Sequence, residues 1–216
     1  MKEEKVFFLS MGFKSEGGIK LEGLIGSNEA FSAKRGVILC HPHPLHGGDM
    51  HHPVIASGIE ASFEAGFSTL RFNFRGVGES EGVYADGVGE KDDVQAAVEC
   101  LNSRLGDRDP SLILLGYSFG AVTGLPIAIR DSRINGMVAI GPPLEMYDFS
   151  FLKGCQKGKL VIAGSQDQYC PLPLLEEWFQ GLDKPKSLTL IHGADHFFFS
   201  HHRSLILPLK EFFKTF

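Results

Sequence analysis

Eight short apolar runs punctuate the chain, and segments of helical period separate most of them. The runs are 6–9, 19–25, 36–40, 69–74, 111–115, 136–140, 159–163 and 187–191. The later ones hold about five residues each, the length of a buried strand. Pro53 suits a first helical turn, and Ile55, Ile59 and Phe63 then recur every four residues until Gly66. Val94, Val98, Leu101 and Leu105 form a second apolar face. A small apolar segment follows Ser118 as far as Ile129, with a kink expected at Pro126. Helices over 174–182 and 204–216 complete the set. The first two strands predict a hairpin or meander. The order after them is strand and helix in alternation, broken once by a loop. It predicts an α/β fold: a mostly parallel sheet of about eight strands with helices on both faces. A chain of 216 residues is expected to form one domain over 1–216.

Ligands of such sheets bind beyond the carboxyl ends of the strands, so the residues there carry the chemistry. The fifth core run ends in SLILLGYSFGAVTG, where Gly116-Tyr117-Ser118-Phe119-Gly120 is a complete G-x-S-x-G. A strand that turns at once into a helix leaves its serine in a strained conformation and excludes bulk at the flanking positions. Ser118 is therefore the expected nucleophile. The Phe119 N–H, free at a helix start, is the first expected oxyanion donor.

A serine hydroxyl needs a base. SLTLIHGADHFF offers His192 at the strand end and His196 in the loop beyond; His196 is the better placed. The acid should follow the preceding strand, and KLVIAGSQDQYCP supplies Asp167. Its task is to accept the Nδ1–H of His196 and fix the tautomer. Asp195 adjoins His196 in sequence, so its side chain should point elsewhere. Asp148, after the sixth core strand, is the reserve acid.

The loop after the third strand reads HPHPLHGGDMHH and holds five of the nine histidines. With GYSFG, GSQDQYCP and GADHFF the chain resembles an α/β-hydrolase, and that resemblance implies that this loop supplies the second oxyanion donor. Pro42 and Pro44 have no N–H, which leaves the His43 backbone first and Leu45 as the alternative. Zinc on His41, His43 and His46 is the rival use of the loop; the two prolines limit how those rings converge, so no metal is expected. Tyr117, Tyr147, Phe149 and Phe197 are candidates for the pocket wall, with Phe151 and Phe199 beside them. The stretch between Ile140 and Lys159 is too short for a helical lid.

These segments together resemble the lidless, dienelactone-hydrolase-like branch of the α/β-hydrolases. GYSFG, GSQDQYCP, GADHFF, RFNFRGVGESEG and LCHPHPLHGGDM carry the resemblance, which spans essentially the whole core of that fold. A true dienelactone hydrolase would use cysteine where this chain has Ser118. The implied activity is that of a serine carboxylesterase on small or short-to-medium acyl esters, working through an acyl-enzyme. A peptidase or thioesterase would use the same residues, and a non-catalytic binding protein would be expected to lack one of them. A net charge of −5 gives no basic patch for nucleic acid. No run approaches a membrane span, no secretory leader is visible, and Cys40, Cys100, Cys155 and Cys170 form no C-x-x-C pair. The expectation is a cytoplasmic protein with a small-molecule partner, no cofactor and no membrane partner. Nothing in the sequence bears on oligomeric state.

Overall fold

The computed structural model describes residues 2–10, 18–27, 35–106 and 110–216. Eight strands lie in one sheet: β1 (Lys2–Ser10), β2 (Ile19–Ser27), β3 (Arg35–Cys40), β4 (Ser68–Phe72), β5 (Ser111–Tyr117), β6 (Ile134–Ile140), β7 (Gly158–Gly164) and β8 (Lys186–Ile191). Their order is β1-β2-β4-β3-β5-β6-β7-β8. β1 pairs with β2 and β2 with β4 antiparallel; every pair from β4 to β8 is parallel.

The apolar runs lack alternation because the central strands are covered on both faces. In β5, Leu112 and Leu114 enter one core while Ile113 and Leu115 enter the other. Helices α1 (Pro53–Glu64) and α5 (Ile206–Phe213) cover one face, burying Val54, Ile55, Ile59, Leu209 and Phe213. Helices α2 (Gly89–Leu105), α3 (Phe119–Arg130) and α4 (Leu172–Gln180) cover the other with Val94, Val98, Leu101, Leu125 and Leu175. Each such side chain contributes about 1.5–3 kcal/mol by leaving water. β8, at the sheet edge, is only partly covered.

Several element boundaries shift from the sequence reading, among them the end of β4. β4 stops at Phe72 because Asn73 and Phe74 turn their N–H groups elsewhere, to the Glu22 carbonyl and the His41 ring. α3 runs through Pro126, the position of the expected kink, to Arg130. Between β6 and β7 the chain makes only one short 3-10 turn, Ser150–Leu152, and no lid covers the sheet there. Among the described residues no helix is long and apolar enough to cross a membrane.

From β3 the chain passes to β4 on one side, and from β5 to β6 on the other. The carboxyl ends of β3 and β5 therefore flank a switch point, the place where such sheets bind ligands.

Candidate active site

Ser118 lies at that switch point, between the end of β5 and the start of α3. Its φ is +52° and ψ −115°, a conformation that non-glycine residues adopt at a cost of order 1–3 kcal/mol. The glycines on either side make the turn possible. A Cβ on Gly116 would lie 2.4 Å from the Gly120 carbonyl oxygen, and one on Gly120 would lie 2.1 Å from that of Cys40. Both obstacles are backbone and cannot swing aside. Gly120→Ala is therefore expected to lower the unfolding free energy by about 2–4 kcal/mol, read as a fall in the urea midpoint. An unchanged midpoint would contradict this packing.

Ser118 makes no side-chain cap to α3. Its hydroxyl donates instead to His196 Nε2 at 2.9 Å. His196 Nδ1–H donates to Asp167, 2.9 Å from Oδ2 and 3.0 Å from Oδ1. Oδ1 also accepts the N–H groups of Tyr169 at 2.9 Å and Cys170 at 3.1 Å. These two bonds fix the carboxylate plane toward the imidazole. The three side chains are nearly buried. Tyr117 donates its hydroxyl to the His196 carbonyl at 3.0 Å, and the Tyr169 ring meets the imidazole edge-on. The two loops themselves pack backbone to backbone: a Cβ on Gly164 would lie 2.3 Å from the Ala194 carbonyl oxygen. An imidazole held in this way can take the hydroxyl proton as Ser118 attacks.

Neither alternative acid enters this chain of bonds. Asp148 accepts from Ser150 on the surface, and Asp195 accepts the Phe197 N–H. His192 lies at the end of β8, away from the bonded chain. Cys170, although adjacent, is buried, which pushes its thiol up to about 12, far from a reactive thiolate. Cys40, Cys100, Cys155 and Cys170 are all free.

The cleft above Ser118 has a volume of about 270 Å³. His43, Phe119, Tyr117, Tyr147 and Phe197 line it, with Met146, Tyr169 and Pro143 beside them. Phe149 is not part of the wall. It is buried in the core, tilted against Phe151 and edge-on to Trp178. Phe199 stands in solvent and also misses the cleft.

Among the described residues, no acceptor takes the N–H of Phe119 or of His43, and both residues face the cleft. Leu45 is different. Its N–H donates to His43 Nδ1 at 3.2 Å and its side chain is largely exposed, so it drops out as an oxyanion donor.

Three of the loop's five histidines, His41, His43 and His52, fasten backbone groups with their rings. His52 Nδ1 accepts the Val54 N–H and caps α1. His43 Nε2–H donates to the Tyr84 hydroxyl at 3.2 Å, since its Nδ1 is already an acceptor. His41 is fully buried, and burial pushes its imidazole down to about 4. Among the described residues no group of three His, Cys, Asp or Glu side chains converges as a metal site. The arginine-glycine segment after β4 serves the same loop. Asn73 Oδ1 accepts the Met50 N–H at 2.9 Å, while Asn73 Nδ2 donates to the buried Glu22. Tyr84 and Asn73 were not singled out from sequence, and His41 was considered only as a zinc ligand. Each acts through a partner more than twenty residues away, which no local pattern records.

Known proteins share this arrangement of elements. The family model for serine aminopeptidase, S33, matches residues 33–157. A Rickettsia prowazekii protein is 34% identical over 187 residues, covering 83% of this chain and 78% of its own. An α/β serine hydrolase homologue from Coxiella burnetii superposes with a TM-score of 0.84 at 30% identity, covering 98% of this chain and 97% of that one. A Xanthomonas campestris α/β serine hydrolase without lid gives a TM-score of 0.84 at 27% identity, covering 99% and 94%.

Proposed function

Since the chain belongs to the serine aminopeptidase S33 family of α/β serine hydrolases, we propose that it is a carboxylesterase for small or short-to-medium acyl esters. The observation that carries this reading is the bonded chain Ser118–His196–Asp167 on the floor of an uncharged cleft. Ser118 Oγ attacks the ester carbonyl while His196 Nε2 takes its proton. The N–H groups of Phe119 and His43 hold the oxyanion. His196 then returns the proton to the departing alcohol. A water, deprotonated by the same imidazole, releases the acid from the acyl-enzyme.

The cleft also supports an ester over an aminopeptide. An aminopeptidase must accept the ammonium of a free N-terminus. None of the residues lining the cleft is Asp, Glu, Lys or Arg, and an ammonium desolvated without a carboxylate partner is strongly disfavoured. The apolar walls suit an acyl chain or a small ring. A peptidase or thioesterase activity is the second reading, since it would use the same three residues; the family description favours the former.

A panel of nitrophenyl esters from acetyl to octanoyl, run beside aminoacyl nitroanilides, tests this reading. Esters should be preferred in kcat/KM by at least about a hundredfold, and a fluorophosphonate should label Ser118. Preference for the anilides would transfer the site to peptide hydrolysis. An unlabelled Ser118 in folded protein would remove hydrolysis altogether.

A further inference from the structure

We propose that His41 is a positioning residue that aims the His43 N–H at the oxyanion by holding the other end of the same peptide unit. This inference rests on the hydrolase reading of the site. The Phe74 N–H points at His41 Nε2, 3.0 Å away. An N–H facing that nitrogen requires it to be bare, so the proton of the neutral ring sits on Nδ1. Nδ1–H in turn donates to the Pro42 carbonyl at 2.7 Å. Pro42 C=O and His43 N–H belong to one peptide plane. That peptide is trans, so the two groups point in opposite directions. A carbonyl tied to the buried ring therefore turns the N–H outward, to the cleft that His43 lines.

A second observation narrows the same carbonyl. A Cβ on Gly48 would lie 2.2 Å from the Pro42 oxygen. The carbonyl is thus enclosed by the imidazole and the Gly48 backbone, and the peptide has little room to rotate. His41 is fully buried and packs edge-on against Phe74, with ring centroids 4.6 Å apart. A hydrogen bond accepted at a peptide oxygen also polarises the N–H of that peptide and strengthens it as a donor. The ring never touches substrate. It acts through the peptide beside it.

The test compares an oxygen ester with its thionoester, whose sulfur is a poorer hydrogen-bond acceptor. Loss of an oxyanion donor costs about 10²–10³ in kcat; a misaimed donor should cost about tenfold to a hundredfold. His41→Phe keeps the ring and removes both nitrogens. His41→Gln can still accept from Phe74. In each, kcat on the oxygen ester should fall by that range, KM should stay within about threefold, and the thionoester rate should fall much less. An equal fall on both esters, or no fall, overturns the proposal. The wild-type protein gives a reading that needs no variant to fold: imidazole 15N resonances should show His41 protonated at Nδ1 and bare at Nε2. The opposite tautomer overturns the proposal as well. Failure of the wild type to cleave any oxygen ester would instead sink the esterase reading, leaving the tautomer measurement to judge the hydrogen bonds alone.

Discussion

Ser118→Ala is expected to lower nitrophenyl-ester turnover by about 10⁴- to 10⁶-fold, with the residual rate coming from the oxyanion donors and binding. The loss should be almost purely chemical. The Ser118 hydroxyl does not cap α3, so its removal orphans no backbone group of that helix. His196 Nε2 loses its partner but faces the cleft, where water can replace it. The melting temperature should therefore move by no more than a few degrees. A companion variant separates the strain of the turn from its chemistry. Ser118 holds φ at +52°, which glycine adopts freely. Ser118→Gly should be as inactive as Ser118→Ala yet more stable, by about 1 kcal/mol less the flexibility that glycine adds to the unfolded chain. Turnover in Ser118→Ala within about a hundredfold of wild type would show that another group performs the attack.

The strain also explains why this part of the site was readable in the sequence. A residue forced to positive φ at a strand-helix junction imposes small neighbours, and Gly116 and Gly120 record that demand locally. The strands were readable for a similar reason. Burial on both faces leaves nearly unbroken apolar runs in β3, β5, β6 and β7, and each of the eight runs overlaps a strand. Asp167 and His196 could be placed because each sits just beyond a strand, at a position that chain order predicts. The donor proposed in the loop after β3 was chosen by position, with only Pro42 and Pro44 eliminated because proline has no N–H to offer.

What the sequence did not reveal depends on contacts across the fold. In sequence His41 stood only as a possible zinc ligand beside His43 and His46; the bond it accepts comes from Phe74, which is distant in sequence. Phe149 looked like a wall of the cleft because Tyr147 is one, but the two side chains diverge and Phe149 turns to Trp178. The same limit applies to Tyr169 and Cys170. Their side chains suggested nothing, yet their backbone N–H groups orient the acid. Backbone donors are invisible in a sequence because every residue but proline carries one.

Those two donors make Asp167→Asn the more incisive variant. Both N–H groups point at Oδ1. An asparagine in this site must present its carbonyl oxygen to them, since its amide nitrogen cannot accept. The NH₂ group then takes the place of Oδ2, facing His196 Nδ1 at about the 2.9 Å now seen. A donor there at 2.9 Å, against the Oδ1 acceptor at 3.0 Å that is already shared by two N–H groups, favours a bare Nδ1 and a ring proton on Nε2. The imidazole would then donate to Ser118 Oγ instead of accepting its proton, and it would be the wrong tautomer for a base. We expect kcat to fall by about 10⁴-fold, with fluorophosphonate labelling of Ser118 slowed in parallel. The change is isosteric and keeps both backbone bonds, so the folded structure should persist. Imidazole 15N resonances would report the tautomer directly, as Nδ1–H in the wild type and Nε2–H in the variant. If the variant keeps Nδ1–H and turns over esters within tenfold of wild type, Asp167 does not set the proton on His196. The acid role would then have to be sought outside the carboxylate that these two loops hold in place.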